Sequence, residues 1–296
     1  ATTEAMRPGL VSGRYPELGD RESGWIDRSF TALQGRLARQ RINRRAGLRK
    51  VAAAIGRQGE TLTALNTAQL DNQRVELRRR FLSRGLSNPL CIRAFALIRE
   101  LAERTIQLRH YDSQLMAGWV MLQGQLAEME TGEGKTLAAT LAAATAALAG
   151  VPVHVITVNE YLVERDAKIM SPLYYALGLT VGFVIQSMTP EERRAGYACD
   201  ITYCTNNQVA FDYLRDRLLL GNNRSRLRLQ LESAYADNNR LGQFMLRGLC
   251  FAIVDEADSV LIDEARTPLI LTRSVDSAAE HTAYRQALKL TQELEN

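Results

Sequence analysis

Two glycines, a lysine and a hydroxyl residue fall within six positions, Thr131-Gly132-Glu133-Gly134-Lys135-Thr136. An apolar, strand-like stretch, Gln125–Met129, precedes them and an alanine-rich helical stretch follows. This is the layout of a P-loop. Glycines let successive backbone N–H groups turn tightly toward one anion, and a helix that starts at the loop adds its positive dipole end. In such a loop Lys135 reaches the β- and γ-phosphates and the Thr136 hydroxyl ligates magnesium. The strict pattern G-x-x-x-x-G-K-[ST] is not met, because Met129 stands at the first glycine position. What remains is a looser x-x-T-G-x-G-K-T form of the loop. The bland alternative is a glycine-rich helix start with a chance Lys-Thr pair, so other parts of the chain must decide.

A P-loop needs a strand before it and a helix after it, and the chain continues in that style. Apolar runs rich in Val and Ile predict strands at Gln125–Met129, Val153–Val158, Thr180–Ile185, Ile201–Cys204 and Cys250–Val254. Helical stretches lie between them, near Lys135–Ala149, Tyr161–Leu177, Pro190–Ala195 and Asn207–Leu218. This alternation predicts an α/β fold: a P-loop, RecA/helicase-like parallel sheet with helices on both faces. Ahead of it, the sequence predicts an extended or disordered arm over 1–24 and a basic α-helical region over 25–107. Within that region Ser87-Asn88-Pro89 breaks the pattern. Ala94, Leu97, Ile98, Leu101, Ala102 and Leu108 then mark one broad helix face. The nucleotide-binding domain is predicted over 108–273, with a polar insertion at 221–246, and 274–296 reads as the start of a truncated polypeptide-binding domain.

Two further elements carry chemistry. Phe251-Ala252-Ile253-Val254-Asp255-Glu256-Ala257-Asp258 is an apolar strand that ends in adjacent carboxylates. In a P-loop ATPase the first holds magnesium and the second activates water, so Asp255 is the candidate metal residue and Glu256 the candidate base. Alone, the stretch is equally a strand with an acidic surface turn; the P-loop about 120 residues upstream favours the catalytic role. Just before the P-loop strand lies Leu108-Arg109-His110-Tyr111-Asp112-Ser113-Gln114. The Gln114 amide offers a donor and an acceptor to an adenine edge, and Leu108 or Tyr111 could pack on the purine.

Composition narrows the class. With 46% apolar and 24% charged residues the chain reads as globular and soluble. The net charge of +4 conceals an asymmetry: residues 1–110 carry 21 Lys and Arg against 10 Asp and Glu, and the rest is net acidic. A basic front half suits an anionic membrane surface or nucleic acid, or is simply a set of solvated helix faces. Cys91, Cys199, Cys204 and Cys250 form no C-x-x-C pair, which argues against a zinc site or a disulfide framework and for buried thiols in a reducing compartment. Residues 1–30 hold no signal-peptide core, and the uncharged run Thr136–Val153 reads as a buried helix.

At this point the chain resembles a family. Arg109-His110-Tyr111-Asp112-x-Gln114, the P-loop with its Glu128-Met129 lead, and Thr157-Val158-Asn159-Glu160-Tyr161-Leu162-x-x-Arg165-Asp166 are similar to the SecA protein-translocation ATPases. So are Tyr203-Cys204-Thr205-Asn206-Asn207, Phe211-Asp212-Tyr213-Leu214-Arg215-Asp216 and Asp263-Glu264-Ala265-Arg266-Thr267-Pro268-Leu269-Ile270. The series is colinear over about residues 94–273, and that family also shows a Met at the position of Met129. The resemblance implies ATP and Mg²⁺ as cofactors, with Leu108, Tyr111 and Gln114 at the base. Thr131, Gly132, Glu133, Gly134, Lys135 and Thr136 would hold phosphate and metal, and Asp255 and Glu256 would be the hydrolytic pair. It further implies preprotein substrates, a SecYEG-like membrane channel as partner, and a cytoplasmic protein peripherally associated with the inner membrane.

Three features depart from the family pattern. Glu130 stands where an Arg is usual and opposes phosphate by its charge; Ala257 gives a literal Asp-Glu-Ala-Asp; and the 221–246 insertion has no close match. They keep two other readings open, a DEAD-type nucleic-acid helicase and a non-hydrolysing accessory protein. Against the helicase, the chain lacks an interleaved aromatic–basic platform. The chain stops where a polypeptide-clamping domain should begin, so the isolated 296 residues are expected to bind nucleotide weakly and turn over little.

Overall fold

The computed structural model describes residues 44–220 and 243–264. The 1–24 arm, the start of the basic region, most of the 221–246 insertion, the Ala265–Ile270 motif and the 274–296 segment lie outside the described residues. All described residues belong to the first of two compact units, Ala1–Arg266.

The basic region opens as two helices, α1 (Arg44–Thr63) and α2 (Thr67–Arg84). They separate at Asn66, whose side chain accepts from Gln69 N–H while the Gln69 side chain accepts from Asn66 N–H, a reciprocal cap. On α2, Leu70, Leu77 and Phe81 form a single buried stripe, and Arg79 and Leu82 face outward. Helix α3 (Asn88–Ile106) starts with Pro89 in its first turn and buries Ala94, Leu97, Ile98, Leu101 and Ala102 of the predicted face, whereas Leu108, predicted on that face, lies past the left-handed Gln107 (φ 57°) that ends the helix and is exposed. The prolyl ring fits there because first-turn N–H groups have no helical acceptor. Helix α4 (Asp112–Leu122) follows, and Trp119 packs edge-on against Phe95 at 5.6 Å.

Helix α5 (Lys135–Leu148) is the alanine-rich helix behind the glycine loop, buried from Leu137 to Leu148 except at Ala139. Small side chains let its neighbours approach closely. A Cβ at Gly118 of α4 would meet the Leu141 Cβ at 2.9 Å, so the two helices pack across a missing side chain.

Four strands follow: β1 (Val153–Thr157), β2 (Val181–Val184), β3 (Ile201–Thr205) and β4 (Phe251–Val254). Every pairing is parallel and the order is β2-β3-β1-β4. The crossovers run through α6 (Glu160–Ala176), α7 (Pro190–Tyr197) and α8 (Asn206–Leu220). Val153, Val155, Ile201, Tyr203 and Ile253 face a large core that includes residues of α1–α6. Val184, Cys204 and the half-buried Ile156 face a smaller core with Tyr197, Val209, Tyr213 and Leu246. Helices therefore cover both faces, as strand–helix alternation demands.

Two expectations need correction. The stretch Gln125–Met129 has no regular secondary structure and joins no ladder among the described residues. Its five residues include Gln125 and Glu128, and Leu126 is 81% exposed, so no buried face fixes a register. Of the four cysteines, Cys91 and Cys204 are buried, whereas Cys199 and Cys250 are half-buried, and no two of them are joined in a disulfide.

Candidate nucleotide-binding site

The carboxyl ends of β1, β3 and β4 share one edge of the sheet, where ligands of open parallel sheets bind. The glycine loop leads into α5 through two left-handed residues, Gly132 (φ 88°) and Gly134 (φ 76°). Gly134 is the N-cap of α5 and brings no capping side chain, which leaves the first-turn N–H groups free of a side-chain cap. Thr131, Gly132 and Glu133 are exposed, and Lys135 and Thr136 are half-buried. The loop closes on itself: Glu133 N–H donates to Glu130 O (3.3 Å) and Glu130 N–H donates to a Glu133 carboxylate oxygen (3.3 Å).

Asp255 continues β4 by one residue, its N–H donating to Ile156 O of β1 at 2.8 Å. Glu256 then turns into the left-handed region (φ 55°), which throws the chain off the strand and presents two adjacent carboxylates at the sheet edge. Its N–H donates back to Asp255 Oδ1 at 3.1 Å. Burial, and next the Glu256 charge, push the Asp255 carboxyl above its ordinary value of 3.8; the Asp166 charge pushes the same way and the Lys135 ammonium pulls it down. The glycine loop and the acidic strand end are thus close enough to feel each other's charge. No group of three His, Cys, Asp or Glu side chains among the described residues could hold a metal by itself. A hydroxyl at Thr136 and a carboxylate at Asp255 are hard oxygen donors of the kind magnesium takes when phosphates supply the remaining ligands.

Gln114 lies against the loop rather than open to solvent. It is 4% exposed; its Oε1 accepts from Tyr111 N–H (2.9 Å), and its Nε2 donates to Glu133 O (2.8 Å) and reaches Gly134 O at 3.5 Å. Both polar ends of the amide are therefore engaged within the protein. Tyr111, 74% exposed, and Leu108 leave their side chains open beside it.

Several residues of the quoted motifs, given no role from the sequence, turn out to build the scaffold of this edge. Asp212 is fully buried and accepts from Gln208 Nε2 (2.6 Å), Arg215 Nη1 (2.9 Å), Tyr197 Oη (3.0 Å) and Arg193 Nη1 (3.3 Å). Arg193 in turn donates to Gln186 O and Met188 O, so one carboxylate ties α7, α8 and the β2–α7 loop together. Asp216 accepts from Met245 and Leu246 N–H at 2.7 and 2.9 Å and fixes the lead into β4. Asn206 Nδ2 donates to Glu264 at 2.6 Å across 58 positions. Glu160 accepts from Gln186 N–H at 2.5 Å. The motif spelling marked these residues, but apart from Gln208 and Arg215 their partners lie too far along the chain for spacing to reveal them.

The chain matches the family model of the SecA DEAD-like domain over residues 33–296. It is 49% identical over 261 residues to protein translocase subunit SecA 2 of Bordetella avium, covering 88% of this chain and 40% of that protein. It is 44% identical over 289 residues to SecA 2 of Nitrosospira multiformis (96% and 43%), and 46% identical over 228 residues to SecA of Neisseria meningitidis serogroup A (77% and 23%). The chain therefore spans less than half the length of each of these relatives. With a SecA DEAD-like domain matched over nearly its whole length, this chain belongs to the SecA family.

Proposed function

We propose that the chain is the ATP-binding and hydrolysing motor domain of a SecA-like protein-export translocase, coupling ATP turnover to the movement of preproteins across a membrane. One observation carries the reading. The half-buried Lys135 and Thr136 at the start of α5 and the Asp255–Glu256 pair at the end of β4 meet at one edge of a parallel sheet, near enough for Lys135 to act on the Asp255 carboxyl. Lys135 and the loop N–H groups hold the β- and γ-phosphates. Thr136 and Asp255 hold Mg²⁺, which when bound neutralises phosphate charge as the terminal phosphate leaves. Glu256 orients the attacking water and takes its proton. Gln114, with Leu108 and Tyr111, forms the adenine end of the site. Its amide is engaged by Tyr111 and the loop, so reading a base there requires an exchange of hydrogen bonds.

The preprotein, a SecYEG-like channel and an anionic membrane surface are the partners this reading implies, the last through basic faces such as that of Arg78 and Arg79. The same reading implies a cytoplasmic protein peripheral to the inner membrane.

The test uses the full-length parent protein. Its ATPase should rise with an unfolded secretory polypeptide, and Glu256→Gln should lower turnover by about 10³-fold while ATP still binds. Stimulation by single-stranded nucleic acid and not by polypeptide would instead favour the DEAD-type helicase. Unchanged turnover in Glu256→Gln would remove the base assignment.

A further inference from the structure

Among the described residues His110 is the one fully buried imidazole next to the glycine loop, and the hydrolytic reading gives it no task. Its Nε2 lies 3.0 Å from Leu137 O and 3.2 Å from Thr140 Oγ1. The Thr140 hydroxyl spends its own proton on Leu137 O at 2.7 Å, so it turns a lone pair toward the ring. Both neighbours of Nε2 are then acceptors, and Nε2 carries the proton. His110 Nδ1 is buried and has no protein partner. A side chain that merely filled this space would do so without leaving a buried nitrogen unpaired, which costs about 1–3 kcal/mol. The bond on Nε2 is what the imidazole adds. Burial holds the ring neutral, its pKa down at about 4, so the tautomer persists through the physiological range.

The place of that bond matters. Leu137 is the third residue of α5, two beyond Lys135. Four residues after His110, Gln114 bonds Glu133 O and reaches Gly134 O. The segment 110–114 thus grips backbone carbonyls immediately before and immediately after Lys135-Thr136. The same segment is fastened to α3 on its other side, through Arg109 to Glu100 and Glu103 and through Arg99 to Asp112 at 3.8 Å.

We infer that His110 is a positioning residue for the phosphate site: together with Gln114 it brackets Lys135 and Thr136 through the carbonyls of Glu133, Gly134 and Leu137, and so fixes where the ammonium and hydroxyl stand. The inference rests on the ATP-binding reading above. The neutral imidazole transmits the rigid position of α3 to the first turn of α5. Loss of the bond loosens the first turn and weakens nucleotide binding without touching Glu256.

The experiment compares His110→Leu and His110→Gln in the full-length protein. Gln carries an Nε2 donor at similar reach; Leu does not. Hydrogen exchange without nucleotide should show protection of residues 135–141 reduced about tenfold in His110→Leu, with α8 unchanged, and restored to within about threefold in His110→Gln. With Mg-ATP, His110→Leu should raise KM about tenfold and leave kcat within about threefold, the pattern of lost uniform binding, and Gln should again restore it. Should His110→Leu fail to fold, Thr140→Val removes one of the two acceptors and should reduce protection of the same segment about threefold. Unchanged exchange over 135–141 in His110→Leu, or in Thr140→Val where that variant replaces it, overturns the inference. A Gln variant as impaired as Leu overturns it too. A wild-type protein that binds no ATP defeats the proposed function instead, and the exchange data still decide whether the bracket exists.

Discussion

Gly134→Ala tests the loop geometry directly, and the structure sets its size. Gly134 sits at φ 76°, where an L-residue costs about 1–2 kcal/mol. Its added methyl would also collide with Gln114 Nε2. Gln114 must then leave Glu133 O, and a buried amide without its bond costs about 1–3 kcal/mol. The two terms together predict a loss of about 2–5 kcal/mol, or about 1–2 M in the urea midpoint. A double-mutant cycle separates them. In a Gln114→Ala background only the backbone strain remains, so Gly134→Ala should cost about 1–3 kcal/mol less there than in the wild type. Urea unfolding of the four proteins, followed by circular dichroism, measures this coupling. Additivity to within about 0.5 kcal/mol would show that Gln114 and Gly134 act independently, and the close-packed loop described above would be wrong.

Two further substitutions probe the scaffold and the acidic edge. Asp212→Ala leaves the Arg193 guanidinium buried without its carboxylate, so about 3–5 kcal/mol should be lost and thermal unfolding should occur about 10 °C lower; a shift under about 3 °C would deny the hub its role. Asp255→Asn should abolish Mg²⁺-dependent turnover yet stabilise the ligand-free protein at neutral pH. The folded Asp255 carboxyl titrates above its ordinary 3.8, so the native state holds that proton more tightly than the unfolded chain. Its stability contribution is lost as pH rises through the raised value, and the gain in Asp255→Asn should appear above that window and vanish below about pH 4. Equal unfolding midpoints for the two proteins at pH 7 would contradict the sign.

The parallel sheet was legible because its signal is local. Val153–Thr157 and Ile201–Thr205 are nearly continuous apolar runs, and a run buried on both faces looks the same wherever it lies in the sheet. The amphipathic face of α3 was legible for the same reason, since Ala94, Leu97, Ile98 and Leu101 repeat at helical spacing. Gln125–Met129 misled because it is short and has no partner among the described residues to enforce a register, so an apolar flank to a P-loop was read as a ladder strand. The split at Asn66 was written in the sequence as Asn followed three residues later by Gln, a cue that the arginine-rich run obscured. The polar wiring was illegible for a different reason. His110 and Leu137 are 27 positions apart, and Asn206 and Glu264 are 58 apart. Nothing in either local sequence says that the chain returns there, although the motif spelling flagged the residues without saying why.

The groups around the loop are already paired with one another, and this shapes how an anion would enter. A Glu133 carboxylate accepts from Glu130 N–H, the Gln114 amide holds the loop carbonyls, and burial and the Glu256 charge raise the cost of ionising Asp255. A phosphate arriving at the loop would displace a carboxylate held at a long, 3.3 Å bond and accept from the freed Glu130 N–H donor at little loss. The negative side chains Glu128, Glu130 and Glu133 nevertheless repel it. A divalent cation held between Thr136 and Asp255 would offset the repulsion at the loop and relieve the crowded carboxylates at the end of β4. On the proposed ATP-binding reading the acidic loop would make nucleotide binding depend steeply on the accompanying metal, and Glu130, an acid directly before Thr131, would sharpen that dependence.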